Sequence, residues 1–365
     1  MKRNPKYLAF GIVVLTLSLL SADFCAGQND NETSYFNNPD IISNRLQKEQ
    51  AGEQKPNLEL YKNSEVIFAS IEEAKKILTT KDNYIKSQTP YDRKLRLNKS
   101  EPVSVKKYLD FLSEQALEWS QSEKDKIIEV IQNIKPRLKE YDLNLPSEIF
   151  FIKTSGKDEG GAAYCRGNAI VFPQNLLNQR AQSTETLIVH ELFHIFTKNN
   201  LDMRAKLYSI INFKKCNKVE LPQMLLNTEV TNPDVPSDRY YVELQYEGQN
   251  INVIPVITVP DILSGLNMPF FAFLKLDFIE VEKINGQYKY KQNESGEPVV
   301  YNQNQITDIF NKVGKNTSYL IHPEEILADN FPIMVLERQP VRSQWVIDKM
   351  KSLLENKNKN VVGTN

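Results

Sequence analysis

The sequence has few of the residues that mark specialised chemistry, with three histidines and three cysteines among 365 residues. Its charges nearly cancel, since 45 basic residues stand against 46 acidic ones and the formal net charge is −1. Without a basic excess, the chain lacks the electrostatic character of a nucleic-acid-binding protein, and we expect no nucleic-acid partner. The composition is 41% hydrophobic and 25% charged, as in globular proteins with a sizeable core.

Long apolar runs are also scarce, and the clearest one lies at the N-terminus. Three basic residues precede the uncharged run Tyr7–Ala22, and small residues follow in Cys25–Gly27. This order predicts a cleaved signal peptide over residues 1–27 and hence a secreted or periplasmic protein. The run is short for a membrane span, so no span is expected in the mature chain. The alternative is a membrane anchor through the N-terminus, by an uncleaved segment or a lipid on Cys25.

Cleavage there would leave two cysteines, Cys165 and Cys216. In an exported protein these two residues could form one disulfide. Two separate buried thiols are an equally good interpretation, because spacing alone does not bring two cysteines together.

We expect the rest of the chain to divide into three parts. Residues 28–60 are polar and predict a flexible leader, residues 61–100 an N-terminal extension, and residues 101–365 the main domain. Helical and strand-like patterns both occur in the main domain, which predicts the α+β class. Tyr240 to Tyr246 and Ile251 to Val259 are β-rich runs separated by a turn sequence, and we expect a hairpin there.

Two of the three histidines stand four residues apart in one strongly apolar segment. His190 and His194 belong to a helix expected from about residue 183 to 198, with Ser183 or Thr184 as its N-cap. Histidines at this spacing project from one face of a helix and can bind one metal ion. Glu191 lies between them, where a carboxylate without a function would be costly in so apolar a helix.

A third metal ligand is expected much later in the chain. Glu325 follows His194 by 131 positions, and Asp329 lies one helical turn after Glu325 on the same face. A carboxylate at the first position can bind a metal, and the second can accept the free ring N–H of a ligand histidine. Glu324 is the adjacent alternative for the third ligand.

The H-E-x-x-H motif at His190 together with the E-x-x-A-D motif at Glu325 resembles the gluzincin branch of zinc metallopeptidases. This resemblance implies one catalytic Zn²⁺ held by His190, His194 and Glu325. It also implies Glu191 as the general base and Asp329 as the partner of a ligand histidine. The metzincin pattern does not fit, because Thr197 and Asn200 stand where its glycine and third histidine would be.

The resemblance further implies a zincin-like α+β domain, with the motif helix under a small sheet and a helical C-terminal part. In that layout the strand Ala169 to Phe172 would be the sheet edge that lines the cleft and pairs with an extended peptide. The expected partner is therefore a peptide or protein substrate. The substrate's identity, endo- or exopeptidase action and the oligomeric state are not indicated by the sequence.

His322, the last histidine, lies three residues before Glu325 and is a candidate to contact substrate or stabilise an oxyanion. Capping of a helix is its alternative role, and Tyr240, Tyr241 and Tyr301 are other candidate oxyanion donors. The expected function is an exported zinc metallopeptidase. The alternatives are a catalytically inactive zinc- or peptide-binding protein on the same scaffold, and a surface-tethered structural protein whose motif is accidental.

Overall fold

Two β-sheets and a set of surrounding helices make up the part of the chain that the structure describes. The structure is a computed structural model, and it describes residues 58–235, 238–259 and 274–356. The predicted signal peptide and residues 28–57 of the predicted leader lie outside these ranges. Both sheets have six strands, which confirms the predicted α+β class.

The first sheet contains the strand pairings that support the metal-motif helix. Its strands are β1 (Leu58–Tyr61), β2 (Ser64–Phe68), β3 (Ala116–Leu117), β4 (Glu148–Thr154), β5 (Tyr164–Arg166) and β6 (Ala169–Pro173). The strand order is β1-β2-β4-β6-β5, with β3 paired to β4. Strands β2, β4 and β6 run parallel, whereas β5 is antiparallel to β6 and forms the edge.

The expectation that Ala169 to Phe172 forms the sheet edge is therefore wrong, because β6 lies between β4 and β5. All five residues of β6 are buried, as expected of an interior strand covered on both faces. The edge position belongs to β5, which the short loop at Gly167 joins to β6.

The predicted N-terminal extension is part of this first sheet. Strand β2 pairs in parallel with β4 from Glu65 to Phe68, and β1 adds to it as a hairpin. Strand β1 begins at Leu58, three residues before the expected start of the extension. Three helices follow, namely α1 (Ile71–Leu78), α2 (Asn83–Ser87) and α3 (Pro90–Arg96).

Two long helices pack against the first sheet and against each other. Between β2 and β4 the chain forms α4 (Val105–Ser113) and α5 (Gln121–Leu138), and after β6 it forms α6 (Ala181–Lys198). Every residue of α6 from Leu187 to Thr197 is buried, because α5, the later helix Pro323–Val335 and strands β5 and β6 surround it. The helix begins at Ala181 after Arg180, so the predicted caps Ser183 and Thr184 lie inside its first turn.

The second sheet is antiparallel throughout. Helix α7 (Leu201–Ile210) precedes its first strand, β7 (Phe213–Lys215), and α8 (Gln223–Leu226) lies between β7 and the other strands. These are β8 (Tyr240–Tyr246), β9 (Gln249–Thr258), β10 (Lys275–Ile284), β11 (Gln287–Tyr290) and β12 (Val300–Asn302). Strands β8 and β9 form the predicted hairpin, with positive φ at both Glu247 and Gly248 in its turn. A small core of its own lies beneath this sheet.

Three helices complete the described chain, namely α9 (Ile309–Val313), α10 (Pro323–Val335) and α11 (Gln344–Leu354). Helix α10 carries the expected carboxylate motif and packs along α6. Pro332 lies within α10 rather than breaking it. None of the helices in the described ranges has both the length and the apolar character needed to cross a bilayer.

Gly314 fixes the turn that leads from α9 towards α10, and its substitution is expected to destabilise the protein. Its φ of 86° and ψ of −178° belong to a region that is essentially restricted to glycine. A Cβ there would lie 2.8 Å from Val346 Cγ2 and 3.0 Å from Ser343 Cβ. We expect Gly314→Ala to lower the free energy of unfolding by roughly 2–4 kcal/mol in urea titrations.

Gly286→Ala is the matched control. Gly286 has a φ of +83°, but a Cβ there would have no atom within 4 Å, so this substitution should lower the free energy of unfolding by about 1 kcal/mol. Equal losses in both variants would contradict the steric account.

Candidate metal centre

The three predicted ligands meet at one point between α6 and α10. His190 and His194 project from one face of α6, and Glu325 reaches them from the first turn of α10. One ligand atom from each residue lies within 4.8 Å of the others, and all three side chains are completely buried. Glu325 Oε2 lies 3.5 Å from His190 Nε2 and 3.9 Å from His194 Nε2. Helix packing thus brings together residues that are 131 positions apart in the chain.

The atoms that face one another in this cluster lack hydrogen bonds. Among the described residues, His190 Nε2, His194 Nε2 and Glu325 Oε2 are buried atoms without a hydrogen-bonding partner. Leaving a buried polar atom unpaired costs about 1–3 kcal/mol, so three at one point call for a ligand. Two imidazoles and one carboxylate form a donor set that zinc accepts in open, catalytic sites, so the residues present fit a single Zn²⁺ ion.

Each histidine is oriented from behind by a carboxylate of α10. Asp329 Oδ1 lies 3.3 Å from His190 Nδ1, and Thr317 hydrogen-bonds the other oxygen of Asp329. His194 Nδ1 lies 2.8 Å from Glu324 Oε1. Because the Nδ1 atoms face these carboxylates, the Nε2 atoms of both rings turn towards the centre.

Glu324 therefore occupies a place that the sequence analysis did not foresee. Thr197 donates a 2.6 Å hydrogen bond to its Oε1, and Tyr208 donates another to its Oε2. Adjacent residues on a helix point about 100° apart, so Glu324 and Glu325 face different nitrogens of the histidine pair. Glu324 was expected only as an alternative ligand, whereas its carboxylate holds the outer nitrogen of His194.

Burial and neighbouring charges set the protonation of the centre. Burial would lower the pKa of His190, but the carboxylates of Asp329 and Glu325 raise it to about 10. Burial lowers the pKa of His194 well below its usual value, and the charge on His190 lowers it further. Burial raises the pKa of Glu325 to about 7 despite the opposing effect of His190. Without metal, His190 is thus the protonated ring at neutral pH.

The general-base candidate Glu191 is completely buried on α6 next to His190. The thiol of Cys165 in β5 lies 3.4 Å from Glu191 Oε2 and 3.5 Å from the Glu191 carbonyl oxygen. Burial raises the pKa of Cys165 to about 12, so the sulfur carries its proton and can donate to the carboxylate. Cys165 and Cys216 are both free and buried, so they do not form a disulfide.

His322 caps the N-terminus of α10. Its Nδ1 accepts a 3.1 Å hydrogen bond from the backbone N–H of Glu324, and its ring packs edge-on against Tyr208 and Tyr240. Within the described residues its Nε2 has no hydrogen bond. The substrate or oxyanion role of His322 stays a prediction, beside the capping contact that the geometry contains.

The alternative oxyanion donors occupy different surroundings. Tyr240 packs against Tyr208 with ring centroids 4.7 Å apart, beside His322. Tyr241 stacks on Tyr288, and the hydroxyl of Tyr301 donates a 2.7 Å hydrogen bond to Glu280. Of the three, Tyr240 therefore has the environment closest to the first turn of α10.

Two residues that the sequence analysis missed lie against the centre. Asn232 Nδ2 donates a 2.8 Å hydrogen bond to Glu325 Oε1, which leaves only Oε2 of that carboxylate facing the histidines. Asp234 is completely buried and accepts a 2.9 Å hydrogen bond from the backbone N–H of Cys165. Burial, with Glu325 and Glu191 nearby, raises the pKa of Asp234 well above its usual range. Neither residue belongs to a periodic element, so no local pattern marks them.

Comparison with known proteins does not place the chain in a family. No protein-family model, curated protein or solved structure matches it. The chemistry of the site therefore has to be argued from the side chains of this protein.

The carboxylates behind the histidines are expected to control metal affinity. Glu324→Gln and Asp329→Asn should each weaken zinc binding tenfold to hundredfold, because each removes the negative partner of a ligand ring. Competition against a chromophoric chelator measures this affinity. Glu72→Gln is the matched control, since Glu72 also lies in the first turn of a helix but is exposed and pairs only with Lys75. Unchanged affinity in both site variants would show that these carboxylates do not hold the ligand rings.

Zinc binding is also expected to release a proton near neutral pH. The raised pKa of His190 means that the metal-free centre carries a proton which a bound cation must displace, so affinity should rise with pH. The same raised pKa stabilises the metal-free fold below the ordinary histidine pKa, and this stabilisation is lost as pH rises towards about 10. Calorimetric titration of zinc in buffers of different ionisation enthalpy measures the number of protons released. A value of zero at pH 7 would contradict the assigned protonation.

Proposed function

We propose that this protein is an exported zinc-dependent metallopeptidase with a zincin-like domain of the gluzincin type. The observation that carries the proposal is the convergence of three buried, unpartnered ligand atoms beside a further carboxylate, Glu191, that is not among them. Peptide hydrolysis at a metal needs side chains that bind the ion and a separate base that accepts a proton from water.

Bound zinc would supply a Lewis acid that polarises the scissile carbonyl and lowers the pKa of water. The protein's part is to hold and move protons around that ion. Glu191 accepts a proton from the attacking water and passes it to the nitrogen of the leaving amine, so the carboxylate is regenerated in each turnover. The Cys165 thiol steadies Glu191, while Asp329 and Glu324 keep the two rings turned towards the ion.

The layout of the first sheet supports the zincin-like interpretation. Helix α6 packs against β5 and β6, and β5 is an antiparallel edge strand. An extended peptide that adds to an edge strand gains backbone hydrogen bonds that do not depend on its sequence, which suits a peptide or protein substrate. We also propose export, on the basis of the signal-like residues 1–27.

One observation favours a second candidate, a zinc- or peptide-binding protein without turnover. His190, Glu191, His194 and Glu325 are all completely buried in this structure, whereas an enzyme must admit its substrate. The intact base, Glu191, favours the peptidase, because a binding protein has no use for a costly buried carboxylate at that position.

Replacement of the base separates these two candidates. In the zinc-loaded protein, Glu191→Gln should lower turnover of denatured casein by about 10²–10⁴-fold, because the amide cannot accept the proton. Zinc content, measured by mass spectrometry, should stay at one ion per chain. Glu185→Gln is the control, since Glu185 lies on the same helix but pairs with Arg338 at 2.8 Å and not with the centre.

Full activity in Glu191→Gln would overturn the role of this residue. A zinc-loaded wild type that binds peptide but turns over none would instead favour the binding protein.

A further inference from the structure

A segment from Thr228 to Asp234, which we name the covering segment, lies across the metal centre. Asn232 donates a hydrogen bond to Glu325 Oε1, and Asp234 accepts a hydrogen bond from the backbone N–H of Cys165 in the edge strand β5. The second bond uses a group that a bound peptide would need, because a strand added to β5 has to accept hydrogen bonds from that strand's N–H groups. A small cavity remains between the covering segment and the residues before β5, lined by Ala162 and Ala163.

The covering segment is fixed at its start to the second sheet. The Val230 N–H donates to the Ile257 carbonyl at 2.9 Å, and the Val259 N–H donates to the Thr228 carbonyl at 2.9 Å. Glu229 and Thr258 form an antiparallel bridge between these bonds. This side of the segment therefore continues the backbone hydrogen bonding of β9.

At its middle, the covering segment is held by helix α3. Asp92 Oδ2 accepts hydrogen bonds from the backbone N–H of Thr231 at 3.1 Å and from its hydroxyl at 2.5 Å. Arg96 donates to the Thr231 carbonyl, to Asp92 at 2.9 Å and to Glu159. Asp92 and Arg96 are both buried. Charge-assisted bonds of this kind are stronger than neutral ones, and together they form a latch on Thr231.

We propose that the covering segment is an autoinhibitory gate, latched by Asp92 and Arg96, which closes the metal centre until it is displaced. The inference rests on the proposed function, since a peptidase with completely buried ligands cannot admit a peptide. Only molecules with the segment displaced can bind substrate. The apparent affinity is therefore the affinity of the open form multiplied by the fraction of molecules that are open.

Loss of residues 58–68 is not the route to opening. Strand β2 pairs in parallel with β4 in the interior of the first sheet, so loss of residues 58–68 would break the sheet that supports α6. The contacts that can yield without loss of the fold are those that involve a side chain, from Thr231 to α3, from Asn232 to Glu325 and from Asp234 to Cys165. The gate therefore opens by movement of the covering segment.

The test weakens the latch at a residue outside the metal centre. Thr231→Val removes the hydroxyl that bonds Asp92 and keeps the backbone bond, so the open fraction should rise about tenfold. Thr231→Ser keeps the hydroxyl and should behave as wild type. Thr228→Val is the matched control, because the Thr228 hydroxyl bonds only Met224 and Leu225 carbonyls at the end of α8. Thr231→Ala replaces the valine variant if circular dichroism shows that the latter does not fold.

The first readout is zinc transfer from the loaded protein to 4-(2-pyridylazo)resorcinol, which requires access to the ion but no turnover. Thr231→Val should release zinc about tenfold faster than wild type, and the two other variants should match wild type. In the metal-free protein, the amides of Cys165 and Thr231 should also exchange hydrogen faster in Thr231→Val. The latch would be overturned if wild type and Thr231→Val released zinc at the same rate. It would also be overturned if Thr228→Val released zinc as fast as Thr231→Val.

The second readout, hydrolysis of denatured casein, separates failure of the gate from failure of the proposed function. A rise in kcat/KM for Thr231→Val that parallels zinc release supports both proposals. Faster zinc release from Thr231→Val, with no casein hydrolysis by any variant, would support the gate and contradict the peptidase. Casein hydrolysis by the wild type, with unchanged zinc release from Thr231→Val, would contradict the gate and support the peptidase.

Discussion

The packing of α10 along α6 is the contact on which the candidate metal centre depends. Helix α6 supplies two rings from one face, and the first two turns of α10 supply the three carboxylates, Glu324, Glu325 and Asp329, that contact them. Glu324 and Glu325 point about 100° apart, so one reaches the outer nitrogen of His194 while the other faces the centre. Asp329, one turn further, reaches His190. One helix pair thus fixes both the ligands and the groups that orient them.

This arrangement places several polar groups in an apolar interior, and the surrounding structure has to compensate for their burial. Tyr208 and Thr197 satisfy Glu324, while Thr317 satisfies one oxygen of Asp329. Glu324 is therefore bonded at both oxygens, whereas His190 Nε2, His194 Nε2 and Glu325 Oε2, which face one another, lack hydrogen bonds. The carboxylates of Glu324 and Asp329 hold the rings in place, which would lower the reorganisation needed to bind an ion.

Local spacing predicts the parts of this site that lie within one helix. His190 with His194, and Glu325 with Asp329, are pairs at i and i+4, and helical geometry alone puts each pair on one face. The orienting role of Glu324 and the contacts of Asn232 depend on tertiary packing across 130 and 93 positions, which no periodicity encodes. The order of strands is equally non-local. The unbroken apolar run of β6 is typical of an interior strand and was misinterpreted as an edge because it lies close to the motif helix in the chain.

The covering segment joins parts of the fold that differ in how readily they can move. Its bonds to β9 are backbone bonds that continue a sheet, whereas its bonds to α3, Glu325 and β5 involve a side chain in every case. A peptide lying along β5 would offer a carbonyl oxygen to the Cys165 N–H in place of the Asp234 carboxylate. Since one acceptor replaces another, that exchange keeps the edge strand satisfied and costs little beyond release of the side chain. The backbone pairing at Val230 then serves as the fixed end about which the remainder of the segment can turn, so the closed centre and a peptide-binding edge strand are compatible in one fold.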